Sequence, residues 1–253
     1  MVMRKPSPQR FFEIDMLRGL AIILMVFGHI LWDLNYFGLI PINNAIYSFL
    51  QKTVPPLFFI LVGISLIVSR KKAEAKTQMD EKEYYKRLFV RGLKIFGLGM
   101  MLTIFSLIFI PEKPVYFGVL HCIGLSVLLS APFLKYKDYA LPASIFILLL
   151  GNIIVYYPVE NPTVAHLMMG FHQSDIWRYT VDYFPLIPWF GLTLLGIVVG
   201  DWLYCGDKRR FQMPDLSKYR PAKLLQWAGQ HSLGIYLLHQ PIIAGALTVF
   251  ILL

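Results

Sequence analysis

Seven apolar windows of spanning length follow one another along the chain, at roughly 16–37, 45–69, 92–110, 116–134, 139–157, 184–204 and 228–252. The hydrocarbon core of a bilayer is about 30 Å thick and takes about 20 residues of apolar helix to cross. Lipid offers the backbone no hydrogen-bond partner, so a chain that repeats such windows is restricted to a bundle of helices. The expectation is therefore an all-α, polytopic membrane protein with about seven transmembrane helices. Composition agrees, since 57% of the residues are hydrophobic and only 15% are charged, against about a quarter charged in a soluble domain. No composition shift, internal repeat or low-complexity tract divides the chain, so 1–253 reads as a single domain. The two cysteines, Cys122 and Cys205, fall near opposite faces in this order of windows and are not expected to pair. No ligand spacing for a metal occurs.

A net charge of +9 would suit nucleic acid, but its distribution points to topology instead. With the N-terminus inside, all but Lys52, Lys113 and Arg178 of the 24 Lys and Arg fall on the cytoplasmic side, which is the asymmetry of the positive-inside rule. The N-terminus is thus expected in the cytoplasm and, with an odd number of spans, the C-terminus outside. Arg4, Lys5 and Arg10 before an apolar run resemble a signal peptide. That run is too long and no small-residue cleavage site follows it, so it reads as a retained first span. The segment from Arg70 to Lys94 reads as a partly helical cytoplasmic loop, and the one around Asp207 to Lys223 as irregular. The longest external piece, Pro158 to Tyr183, carries His166 and His172, which read as solvated loop residues.

The first window stands out chemically. Arg18 and His29 are eleven residues apart, about three helical turns, and so project from nearly one face. Asp33 follows His29 by one turn and lies beside it. Ionisable groups inside a membrane are costly and point to function. A carboxylate beside an imidazole orients the ring and stabilises the imidazolium, which is the arrangement of a general base. His121 and His239 lie within later windows, and Asp182 just precedes one; with this topology His29, Asp33, His121 and Asp182 could line one polar cavity. Pro241 is expected to bend the last helix beside His239. No nucleophilic Ser or Cys motif and no Gly-rich phosphate loop accompanies them.

The Arg-x10-His spacing of Arg18 and His29 resembles the first-span signature of a superfamily of membrane acyltransferases. Within it, the chain resembles the heparan-α-glucosaminide N-acetyltransferase catalytic-domain family. The likeness continues in PLFFILVGISL (Pro56–Leu66), RGLKIFGLG (Arg91–Gly99), FGVLHCIGLS (Phe117–Ser126), DYFPLIPWFG (Asp182–Gly191) and HSLGIYLLHQP (His231–Pro241). The resemblance implies a multi-pass enzyme that takes an acetyl group from cytoplasmic acetyl-CoA and delivers it to a sugar amine or hydroxyl across the membrane. Lysosomal animal members place their catalytic histidine in the loop after the first span. The stretch Leu39–Pro41 has no histidine here, so the role passes to His29, with Asp33 as its partner. Larger relatives also have more spans, so this chain looks like a minimal core.

On that reading Arg18, Arg91 and Lys94 are candidates to bind the CoA phosphates, with His121 further along the cofactor path. Asp182, Trp189 and His239 are candidates for the acceptor site. Arg18 and His29 would be about 16 Å apart along the helix, close to the reach of a pantetheine arm. His29 could act as a general base or carry the acetyl group itself, and the residues leave both routes open. The expected partners are acetyl-CoA, a sugar or glycan acceptor and the lipid of the cell membrane, with a homodimer as an open oligomeric state. The alternative of another class is a proton-coupled transporter using the same intramembrane residues, and a third is a scaffold without activity. Inverted repeats would favour transport, and none is found.

Overall fold

In a computed structural model of the protein, residues 10–41, 43–75, 80–206 and 208–252 are described. Arg4, Lys5 and Lys76 of the charge asymmetry lie outside the described residues. The described residues form ten α-helices in chain order: α1 (Phe12–Tyr36), α2 (Asn44–Ala75), α3 (Glu81–Phe109), α4 (Val119–Leu129), α5 (Ala131–Lys135), α6 (Ala140–Ile154), α7 (Val164–Met169), α8 (Leu186–Leu203), α9 (Arg220–Gln230) and α10 (Ser232–Leu252). A two-residue antiparallel pair, β1 (Tyr204–Cys205) with β2 (Lys208–Arg209), follows α8.

Among the described residues, six helices are long and apolar enough to cross a membrane: Phe12–Tyr36, Asn44–Glu74, Glu81–Phe109, Lys137–Ile154, Leu186–Leu203 and Ser232–Phe250. The fold is all-α and multi-pass, with six such helices against seven apolar windows. The difference lies in the fourth window. There α4 has 11 residues, which span about 16 Å, roughly half the hydrocarbon thickness. Pro132 opens α5 and cannot donate to the carbonyl four residues back. The Leu134 N–H still reaches the Ser130 carbonyl at 2.9 Å, so the helical path bends rather than stops. In the described residues of the cytoplasmic loop expected between Arg70 and Lys94, the end of α2 and the first turns of α3 are helix. Asp80 caps α3, its carboxylate accepting the Lys82 N–H at 3.3 Å. The window at 228–252 also divides, into the short α9 and the spanning α10.

The chain forms two compact units, Met1–Leu61 with Gln212–Leu253, and Val62–Phe211. In the first, α1 packs along α9 and α10. A Cβ on Gly19 would sit 1.9 Å from the Leu225 carbonyl oxygen, and one on Gly229 would sit 1.8 Å from that of Asp15. The two backbones therefore touch, and only glycine fits at the crossing. Polar groups secure the same place. Arg18 Nη1 donates to Asp15 Oδ1 at 2.9 Å and reaches the Gly229 carbonyl at 3.5 Å, while Gln230 Nε2 donates to Asp15 Oδ2 at 3.1 Å. In the second unit α3 packs on α4, and α8 on α4 and α6. Ser144 Oγ donates to the Gly191 carbonyl at 2.8 Å. Lys71 Nζ donates to the Asp201 and Tyr204 carbonyls at 2.7 and 2.5 Å and pairs with the Asp201 carboxylate at 2.9 Å, a cation placed at the negative end of α8.

Candidate active site

Two polar centres emerge, one in each unit. The first is built by α1 and α10. His29 projects from α1 onto His239 of α10, with ring centroids 4.7 Å apart and planes inclined by 63°. One turn further along α1, Asp33 is almost fully buried, 3% exposed. Gln240 Nε2 donates to both its carboxylate oxygens, at 3.1 Å each. The adjacent pair His239–Gln240 thus straddles the line of contact with α1, since successive helical positions are turned by about 100°. Among the described residues no hydrogen bond joins His29 to Asp33. The expected His–Asp pair is replaced by a histidine pair and an amide–carboxylate pair.

The chemical state of His239 follows from its bonds. Its Nδ1 lies 2.6 Å from the Tyr236 carbonyl oxygen, which can only accept, so Nδ1 carries the proton. Nε2 of the neutral ring is then a bare lone pair, and it is buried without a partner. Gln240 Oε1 is likewise buried without one. The carboxylate of Asp33 sets this amide's orientation, because an amide oxygen turned toward it would be repelled. Two acceptors on adjacent residues are left without donors. Unsatisfied polar atoms of this kind are costly in an apolar interior and mark a place where a donor can bind.

The second centre gathers around the first turn of α4. His121, 2% exposed, accepts the Gly118 N–H on Nδ1 at 3.1 Å. That fixes Nε2 as the protonated nitrogen, facing Thr103 Oγ1 at 3.2 Å, and the Thr103 hydroxyl donates to the Val115 carbonyl at 2.6 Å. Phe96 and Phe117 flank the ring. Asp182 Oδ2 accepts the Val119 N–H at 3.1 Å, so a carboxylate caps the positive end of α4 from 63 residues away. A Cβ on Gly118 would lie 2.1 Å from that oxygen, so a larger residue there would push the carboxylate off the cap. The Phe117–Tyr183 bridge and the Phe184 N–H on the Phe117 carbonyl at 3.0 Å hold the two segments together. Tyr183 donates its hydroxyl to the Leu167 carbonyl at 2.8 Å, and burial pushes its phenol above the usual range.

The other candidates are placed as follows. Arg18 is engaged with Asp15 and the Gly229 carbonyl, its side chain 25% exposed. Arg91 and Lys94 lie on an exposed face of α3 in the second unit. Trp189 is half-buried, packed edge-on to Phe184 at 4.8 Å. His166 is exposed and serves the cap of α7, whereas His172 is half-buried against Tyr183 at 5.2 Å rather than solvated. Cys122 and Cys205 are free thiols, the first buried and the second exposed. The sequence reading missed Gln240 and the Tyr236 carbonyl. Gln240 could have been found by applying to an uncharged amide in an apolar run the argument that singled out His29.

Residues 10–241 match the model of a family described as heparan-alpha-glucosaminide N-acetyltransferase, catalytic. The match runs through nearly the whole chain and includes both polar centres. The chain belongs to this family. It is therefore a multi-pass membrane protein of an acetyltransferase family, and acetyl-CoA is the donor that the family implies. Searches of curated proteins and of solved structures gave no significant match.

Proposed function

We propose that the protein transfers an acetyl group from cytoplasmic acetyl-CoA to the amine of an extracytoplasmic amino sugar, at the His29–His239 centre. The observation that carries this is the two unpartnered acceptors on adjacent residues of α10, His239 Nε2 and Gln240 Oε1, with the His239 ring against that of His29. A hydroxyl acceptor has one proton to donate and would leave one of the two unmet. An ammonium has three. One goes to His29, which frees the nitrogen lone pair, and the other two are held by His239 and Gln240. The nitrogen then attacks the thioester carbon and the C–S bond breaks. A second proton passes from nitrogen to His239 Nε2 and on to the departing CoA thiolate. The sum is ammonium plus acetyl-CoA giving amide, CoA and one proton, which leaves from His29. Asp33 holds the Gln240 amide and balances the charge of protonated His29 one turn away. The basic N-terminal flank supports a cytoplasmic N-terminus, with Arg18 at the donor's end of α1 and His29 about three turns deeper.

The test is release of free CoA by the purified protein, given acetyl-CoA with amino sugars or with sugars that carry hydroxyls alone. Amine-dependent release is expected from the wild type, with loss of at least a hundredfold in His29→Ala while acetyl-CoA binding persists. Release that depends equally on hydroxyl sugars would overturn the choice of amine. Absence of both release and acetyl-CoA binding would overturn the enzyme.

A further inference from the structure

A groove in the second unit lies at the other end of α4 from the His121 centre. It encloses about 350 Å³ between the first turns of α3 and the end of α4, lined by Tyr85, Lys86, Leu88, Phe89, Leu128 and Ala131. That is room for about ten waters at roughly 30 Å³ each, and within the range of small-ligand sites. It lies where the helical path passes from α4 to α5, with Ser130 between them and Pro132 in the first turn of α5.

Its polar groups can both donate, Lys86 as a cation and Tyr85 as a hydroxyl that can also accept. The Tyr85 hydroxyl is buried and has no hydrogen-bond partner. Lys86 lies at the exposed rim. Neighbouring cations are paired, Arg70 with Glu74 at 2.6 Å, Arg87 with Glu83 at 2.9 Å and Lys135 with Glu81 at 3.4 Å. Among the described residues Lys86 is paired with no carboxylate. The rest of the lining is apolar. A ligand that fits has an anionic, hydrogen-bond-accepting head and an apolar tail.

Depth selects the class. With 29 residues, α3 is about 43 Å long, some 13 Å more than the hydrocarbon core. Its C-terminal end is apolar and exposed, with Ile108 at 66% and Phe109 at 67%, so the excess falls at the charged N-terminal end. Counting about 20 residues back from Phe109 reaches Val90, which puts Tyr85 and Lys86 at headgroup level and Leu128 at the top of the acyl region.

We propose that this groove is a binding site for an anionic phospholipid. Its phosphate accepts from the Tyr85 hydroxyl and pairs with Lys86, and one acyl chain runs along Leu88, Phe89, Leu128 and Ala131.

The test is native mass spectrometry of the delipidated protein offered equimolar dioleoyl phosphatidylglycerol and dioleoyl phosphatidylcholine. One phosphatidylglycerol per chain is expected, favoured at least fivefold over phosphatidylcholine. Lys86→Gln should lower that preference about fivefold, one basic residue's share of the attraction to an anionic headgroup. Leu128→Trp fills the groove and should remove retention of both lipids. Tyr85→Phe keeps the shape and should weaken phosphatidylglycerol alone, so the site stays testable if Leu128→Trp fails to fold. Equal retention of the two lipids by the wild type overturns the proposal. So does a preference that both Lys86→Gln and Tyr85→Phe leave intact.

Discussion

The contact between Gln240 and Asp33 makes a prediction whose size can be worked out. Gln240→Leu removes the amide that meets both Asp33 oxygens at 3.1 Å and leaves a carboxylate buried to 3% exposure. Interhelical hydrogen bonds between neutral side chains in membranes average only about 0.6 kcal/mol, because the separated helices find other partners. A hydrogen bond to a charged group contributes about 1.5–3 kcal/mol, and stranding the charge costs more than losing a neutral bond. With Asp33 ionised the charged case applies, so Gln240→Leu should destabilise by about 2 kcal/mol. For a chain of this size that is a fall in melting temperature of about 4–8 °C. Asp33→Leu alone strands only a neutral amide and should cost about 1 kcal/mol. The double variant Asp33→Leu/Gln240→Leu replaces both partners with apolar groups and should recover most of the loss. The assay is thermal unfolding of the four proteins in one detergent, read as a double-mutant cycle. A double variant as unstable as the sum of the singles would refute the reasoning, as would a Gln240→Leu protein that melts with the wild type.

Gly229→Leu would drive a side chain into the Asp15 carbonyl, where a Cβ already has only 1.8 Å; loss of folded protein in detergent extracts is expected, because the obstacle is backbone and cannot yield. Gly118→Ala and Asp182→Ala both undo the cap on α4, so each should lower stability by about 1 kcal/mol. Together they should cost little more than either alone, measured as melting temperatures. His239→Ala should raise KM for the amine and lower kcat, while acetyl-CoA affinity measured by calorimetry stays within about twofold; a variant with normal amine kinetics would remove His239 from the acceptor site.

The apolar windows were legible because hydropathy over about 20 residues is a local property. Where they failed, one residue decided. Pro132 turns the fourth window into two short helices, although its composition is as apolar as any other. The boundary between the compact units falls inside α2, at Leu61 and Val62, within one uninterrupted helix. No composition shift or linker could reveal it, because the division depends on what each half of α2 packs against.

At the candidate site the cost of burial singled out residues that α1 and α10 bring together, and spacing along α1 misjudged their pairing. His29, Asp33 and His239 are visible in sequence as polar groups in apolar runs. Spacing along α1 placed Asp33 beside His29, since residues three or four apart on one helix are neighbours and a sequence shows no others. The actual partners depend on the rotation of α10 about its own axis, which brings His239 to one residue and Gln240 to the other. That rotation is fixed far from the site. The glycine contact between α1 and α9, and the Asp15 carboxylate shared by Arg18 and Gln230, anchor the helix that leads directly into α10. Arg18, read from sequence as a phosphate contact, is thus also part of what sets the histidine pair about three turns away. Arg18→Ala should therefore lower turnover even where acetyl-CoA is saturating, and loss of acetyl-CoA affinity with unchanged kcat would show that Arg18 contacts the donor and nothing more.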